Sequence, residues 1–389
     1  MTLAIRRVTA RTGAIRLGAL LLLTVGTVRA QSNDAKPNTR LPKVLLIATG
    51  GTIAGVQDAP GSLGSYRAGT LTAEQIIASV PELSKHAQIE TEQFSNVPST
   101  SITPAQWLAL SKRIEKVLKD RDDLAGVVVT HGTDRLEETA FFLYLTVRSD
   151  KPVVVVGAQR PATGISPDGP INLLSAVRVA ADRQAVGKGV MVVMDDRILS
   201  AREVRKLYQR TGGFSGGEMG MLGVVGGNGP DFLFAPVRRH GEDSEFDMRK
   251  VDSLPRVELE YSYPGGTGPR FDGQPAGVAV ASNGMTRAES EVYTALRRAG
   301  VVVVTVFAYG DNMSAARDPD APRAEPRATP ARTDSTAAAG DSTRTPTLPP
   351  APPMVTAQHL TPAKARILLM LALTRTNNPV EIQRYFLRY

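Results

Sequence analysis

Two short runs of small and hydroxyl-bearing residues each follow an apolar stretch in this chain: Thr49-Gly50-Gly51-Thr52 and Thr130-His131-Gly132-Thr133-Asp134. Apolar β-branched runs ending in flexible, hydroxyl-rich loops are how open α/β sheets present reactive groups at strand carboxyl ends. Thr52 follows glycines that let backbone and substrate approach closely, and nearby backbone amides could stabilise the negative charge of an acyl-transfer intermediate. A threonine hydroxyl is a weak nucleophile and needs a base or a polarising network beside it. The same four residues also suit a tight structural turn with a capping threonine. A phosphate cradle fits less well, because the full P-loop pattern is absent.

Thr133 and Asp134 add a hydroxyl and a carboxylate at the second strand end. That carboxylate could hold a substrate ammonium or a catalytic lysine, and it could equally cap the following helix. Lys206 would serve as a base if a low-dielectric pocket lowered its proton affinity, and would be an ordinary solvated lysine otherwise. The 389 residues include no cysteine, so thiolate chemistry and disulfides are excluded and covalent chemistry falls to a serine, a threonine or an acid. His86, His131, His240 and His359 show no close metal-ligand spacing, which argues against a zinc hydrolase. His131 reads as part of the strand-end framework.

The elements that must position these residues alternate along the chain. Strands are predicted at 41–48, 127–129, 152–156 and 189–194, and helices at 72–80, 104–118, 135–147 and 169–181. Thr103-Pro104 makes a strong helix start, a cap followed by proline in the first turn. A hairpin is expected within 221–234. This alternation predicts a βα-layered domain over 41–237. Residues 238–254, charged and poor in large apolar groups, read as an interdomain linker. A second α/β unit over 255–389 follows, with strands at 278–281 and 301–307, a helix near 287–299 and a terminal helix from about Thr361. Inside it, residues 314–353 hold nine prolines, five arginines and one large aliphatic side chain, Leu348. Such a composition buries too little apolar surface to offset chain ordering, so an irregular surface insertion is expected.

Residues 1–30 carry five arginines and no acid around a short apolar stretch that ends in Val28-Arg29-Ala30, the pattern of a secretory signal cleaved after Ala30. The stretch is far short of a bilayer span, so no membrane anchor is expected after cleavage. Removing it takes five charges from a formal +8 and leaves +3, which weakens the case for nucleic-acid binding.

Taken in order, Ala48-Thr49-Gly50-Gly51-Thr52-Ile53-Ala54-Gly55, Val129-Thr130-His131-Gly132-Thr133-Asp134 with Glu137-Glu138-Thr139-Ala140, Val156-Gly157-Ala158-Gln159-Arg160-Pro161, Ser166-Pro167-Asp168-Gly169-Pro170-Ile171-Asn172-Leu173 and Val192-Val193-Met194-Asp195-Asp196 resemble the bacterial L-asparaginase family, in particular its secreted type II branch. The resemblance covers roughly residues 41–313 and 354–389. It implies a larger N-terminal open-sheet α/β domain with flavodoxin-like layering and a smaller C-terminal parallel-sheet domain. It also implies a homotetramer built as a dimer of dimers, in the periplasm or secreted. The implied reaction is hydrolysis of L-asparagine, with L-glutamine as a further substrate, and it uses no cofactor. The family pattern puts the nucleophile at Thr52 and its activating tyrosine at Tyr66, in a mobile loop. Thr133 and Lys206 would aid proton transfer, Asp134 would bind the substrate ammonium, and Ser99 would bind its carboxylate. Asn283 would reach a neighbouring subunit's site. The glutamate that type II members supply from a neighbouring subunit has no secure counterpart here, and Glu325, Asp311, Asp318 and Asp320 are the acids near its place.

Overall fold

Strands buried along nearly their whole length have no face to give to water, and four of them form the centre of one sheet. The chain runs through β1 (Lys43–Gly50), a ribbon of β2 (Val56–Gln57) and β3 (Tyr66–Arg67), α1 (Ala73–Ala78), β4 (Gln88–Val97), α2 (Pro104–Asp120), β5 (Leu124–Thr130), α3 (Leu136–Thr146), β6 (Val153–Val156), α4 (Gly169–Ala181), β7 (Val190–Met194) and β8 (Arg197–Ser200). A second ribbon, β9 (Arg205–Lys206) with β10 (Phe214–Ser215), precedes the hairpin of β11 (Met221–Gly226) and β12 (Gly229–Phe232). The sheet order is β12-β11-β8-β7-β6-β5-β1-β4, parallel from β4 to β7 and antiparallel beyond. Every residue of β6 and β7 is buried. In this computed structural model the described residues are 40–61, 65–309, 318–320 and 349–389. The expected leader, 1–30, most of the expected insertion, including Glu325, and also Asp311 lie outside them.

The smaller sheet is wholly parallel, in the order β13 (Val257–Tyr261), β14 (Gly277–Ala281), β15 (Val302–Val306), β16 (Val355–Thr356). α5 (Arg287–Arg298) crosses from β14 to β15, and α6 (Pro362–Ala372) and α7 (Pro379–Arg388) close the chain. α6 packs on β13, β14 and β15 and on α3 of the larger region. The two α/β regions of the expected fold class are therefore present, a larger mixed sheet and a smaller parallel one. Residues 238–254, read from sequence as a linker, bury Phe246 and Met248, and the Phe246 ring centroid lies 4.9 Å from that of Tyr389.

Boundaries follow local chemistry. Thr103, Thr286 and Thr361 cap α2, α5 and α6 through their side chains. The β7–β8 turn has Asp195 and Asp196 both in the left-handed region, the conformation that a two-residue hairpin of this twist requires. Besides the two-residue strands, β4, β8 and β13 escaped the sequence reading. β4 and β13 are edge strands, and β4 (QIETEQFSNV) has no fully buried residue. They lack the unbroken apolar run used to find the central strands. The expected terminal helix is two helices, because Pro379 starts a new one after Asn378.

Candidate active site

The strand order β4-β1-β5-β6-β7 reverses direction at β1: the chain goes from β1 outward to β4, then returns to the other side of β1 as β5. Loops leaving β1 and β5 therefore diverge, and the crevice they open at the carboxyl ends of the strands is where such sheets bind ligands. Thr52 follows β1 and Thr133 follows β5. Thr49 Oγ1 donates to the Thr130 carbonyl at 2.8 Å and ties the two strand ends together.

Glycines let the loops touch. A Cβ on Gly51, which has φ 84°, would lie 2.3 Å from both Cα and N of Gly132. A Cβ on Gly132 would lie 2.8 Å from the Ser99 Oγ. The backbones after β1 and β5 thus pack without intervening side chains, and the Ser99 side chain, in the short 3-10 turn Ser99–Ser101 after β4, seats directly against Gly132.

Two hydroxyl clusters stand on this crossing. Thr52 Oγ1 is 2.7 Å from Tyr66 Oη, and either can donate. Thr52 is buried while Tyr66 is 38% exposed, with its ring against Gly55. In the second cluster Lys206 Nζ donates to Thr133 Oγ1 at 2.8 Å and to Asp134 Oδ1 at 2.6 Å. The Lys206 side chain is 12% exposed and that of Asp134 50%, so the carboxylate that holds the lysine still presents a face to solvent. Ser99 is buried beside them, its Oγ accepting from the Arg135 amide at 3.3 Å. Asn283 does not join either cluster within this chain. It is exposed after β14, and its Oδ1 accepts from the Ala308 amide at 3.3 Å. Asp320 forms an ion pair with Arg384 on α7.

His131 is fully buried and has no room for a charge. Its Nδ1 lies 2.7 Å from the Gly132 carbonyl, which can only accept, so that nitrogen carries the proton. Nε2 then accepts from Thr139 Oγ1 at 3.0 Å, and Thr139 Oγ1 accepts from Trp107 Nε1 at 2.8 Å. Burial pushes the imidazole down to about 4 against the opposing hydrogen bond to Gly132. The ring is a neutral strut under the Gly132 loop, as its place in the sequence suggested.

Sequence reading missed the supports around these clusters. The Lys206 amide donates to Glu137 Oε2 at 2.6 Å, which fixes the end of β9 to the first turn of α3. Asp168 accepts from the amides of Gln159 and Arg160 and from Asn172 Nδ2, and Asn172 also donates to the Gly157 carbonyl. A Cβ on Gly157 would come 3.0 Å from Thr133 Cγ2, so this network props the wall behind Thr133. The runs 156–161 and 166–173 were legible as matched motifs, but their shared hydrogen bonds were not.

A hydroxyl paired with a phenol, beside a second hydroxyl held by a lysine and a carboxylate, is a site for nucleophilic attack with proton relay. The family model "Asparaginase, N-terminal" matches residues 43–238. The chain is 40% identical over 374 residues to L-asparaginase 2 of Bacillus subtilis, covering 93% of this chain and 91% of that protein. It is 38% identical over 383 residues to a glutaminase-asparaginase of Pseudomonas fluorescens, covering 96% and 97%. A solved structure of a probable cytoplasmic L-asparaginase from Campylobacter jejuni aligns with TM-score 0.75 at 35% identity, over 90% of this chain and all of the other. The chain belongs to the asparaginase family, a family of amidohydrolases.

That structural match corrects two expectations, the secreted type II branch and the periplasmic or secreted location. A protein named as cytoplasmic shares the fold and its whole length aligns, so the motifs quoted above report the family and not the compartment. The residues read as a leader, 1–30, lie outside those described. Among the described residues no helix is long and apolar enough to cross a membrane.

Proposed function

We propose that this protein hydrolyses L-asparagine to L-aspartate and ammonia through an acyl-enzyme on Thr52, and accepts L-glutamine as a second substrate. The single observation that carries this reading is the 2.7 Å Thr52–Tyr66 pair next to the Thr133–Lys206–Asp134 cluster, across the Gly51 and Gly132 contact. Thr52 Oγ1 attacks the side-chain carbonyl carbon. Its proton passes to Tyr66 Oη, which hands one on to the departing nitrogen as the C–N bond breaks. Backbone amides of Thr52 and Thr133 stabilise the oxyanion. Water, oriented by Thr133 and Lys206, then cleaves the ester and returns a proton to Thr52. Asp134 receives the substrate ammonium and Ser99 its carboxylate. Discrimination against glutamine rests on one methylene, for which a pocket supplies only modest selectivity.

The assembly in this reading is a homotetramer, a dimer of dimers, with Asn283 of one subunit at a neighbour's site. Exposure of Tyr66 and Asp134 on the single chain supports a cover supplied from elsewhere. The domain limits 41–237 and 255–389 belong to the same proposal.

The test is ammonia and aspartate release by the purified protein and by Thr52→Ala, with each amide offered separately. Thr52→Ala is expected to lose roughly 10⁴-fold or more in kcat. A folded variant that keeps wild-type turnover would remove Thr52 as nucleophile.

A further inference from the structure

Lys364, in the first turn of α6, is 1% exposed. Its Nζ donates to the carbonyls of Arg202 at 2.7 Å and Val204 at 2.5 Å, and lies 5.6 Å from the ring centroid of Phe141 on α3. These partners are carbonyls and an aromatic face, not a carboxylate. A buried ammonium with no carboxylate in hydrogen-bond contact is expensive, and a methionine of similar length would fill the space without that cost. What the charge supplies is a hold on one stretch of backbone, the turn between β8 and β9.

That turn leads into β9, which carries Lys206. Val204 is two residues before it, and the Lys206 amide is held on the far side by Glu137 of α3 at 2.6 Å. Arg202 is fixed as well, its Nε donating to the Tyr389 carbonyl at 2.7 Å. From this clamped backbone Lys206 Nζ reaches Thr133 and Asp134, on the loop just before α3. We infer that Lys364 is a positioning residue for Lys206: by holding the Arg202 and Val204 carbonyls it sets the backbone from which Lys206 meets Thr133 and Asp134. The smaller α/β region thereby aligns the proton-relay lysine of its own chain. This inference rests on the reading of Lys206 as part of the relay.

The experiment is a double-mutant cycle on the full chain, measuring kcat and KM for asparagine in wild type, Lys364→Met, Lys206→Met and the double variant, with melting curves for each. Lys364→Met is expected to fold and to lose roughly 10- to 100-fold in kcat, the scale of an ångström-sized misplacement, with KM nearly unchanged. The double variant should be no slower than Lys206→Met alone. Lys364→Gln, whose amide can still donate to a carbonyl, should recover part of the loss. It replaces Lys364→Met in the cycle if the methionine variant does not fold. Wild-type kcat in a folded Lys364→Met, or losses that multiply in the double variant, would overturn the inference. Wild-type kcat in Lys206→Met would instead overturn the relay role of Lys206, and is recognised from that single variant alone.

Discussion

At the scale of residues, the proposed mechanism separates hydroxyls that do chemistry from groups that hold them. Thr52 differs from an ordinary turn threonine by the phenol at 2.7 Å, so removing that oxygen isolates the relay's contribution. Tyr66→Phe keeps the ring against Gly55 and is expected to lower kcat by roughly 10²- to 10³-fold with little change in KM. Steady-state kinetics checks this, and an equal rise in KM with kcat intact would reassign Tyr66 to binding. His131 makes a different prediction. Its imidazole is held down at about 4, while the unfolded chain takes up the proton near 6.5. Between those values the unfolded state binds more protons, so this stability is fully present above pH 6.5 and is lost as pH falls toward 4. The loss amounts to about 3 kcal/mol. Urea unfolding of wild type against His131→Asn from pH 4 to 7 should show that slope in wild type only.

At the scale of elements, the reversal of strand order at β1 brings two loops together that are 81 residues apart, and only glycine permits their contact. Gly51→Ala would add a Cβ at 2.3 Å from backbone and strain a φ of 84°. The expected cost is roughly 2 to 4 kcal/mol of stability, seen as a lower urea midpoint, together with a fall in kcat as the Thr52 and Thr133 loops separate. Unchanged midpoint and kcat would mean that the loops have slack. Both loops were legible in the sequence because an apolar run ending in glycine and threonine reports a central strand directly. The edge strands β4 and β13 were not, since they bury almost no residue fully and their polar alternation resembles coil. Partners distant in sequence were not legible from the residues themselves: only the family resemblance paired Lys206 with Thr133, and nothing announced the Asp168 network. One signal was available for Lys364. It falls at the helical spacing of Leu368 and Leu371, both fully buried, and a lysine on an apolar stripe marks a buried charge.

At the scale of the whole molecule, α6 joins the two sheets by packing on the smaller one and on α3, and Lys364 is its polar contact with the catalytic side. Burial pushes this ammonium from its ordinary 10.5 down to about 8, with Glu137 and Glu203 opposing the shift and Arg202 and Arg205 adding to it. Between those values the unfolded chain holds the extra proton, so the group's contribution to stability rises with pH and is least favourable below about 8. The unfolding free energy of wild type minus that of Lys364→Met should therefore climb by about 3 kcal/mol across this window. A flat difference would mean that Lys364 is not buried as a cation. The proposed mechanism turns on which oxygen carries the acyl group. Acid quenching during turnover with L-asparagine, followed by tryptic digestion and mass spectrometry, tests this directly, because Arg67 and Arg121 put Thr52 and Thr133 in separate peptides. An aspartyl ester on Thr52 is predicted, and an ester on Thr133, with Thr52 unmodified, would contradict it.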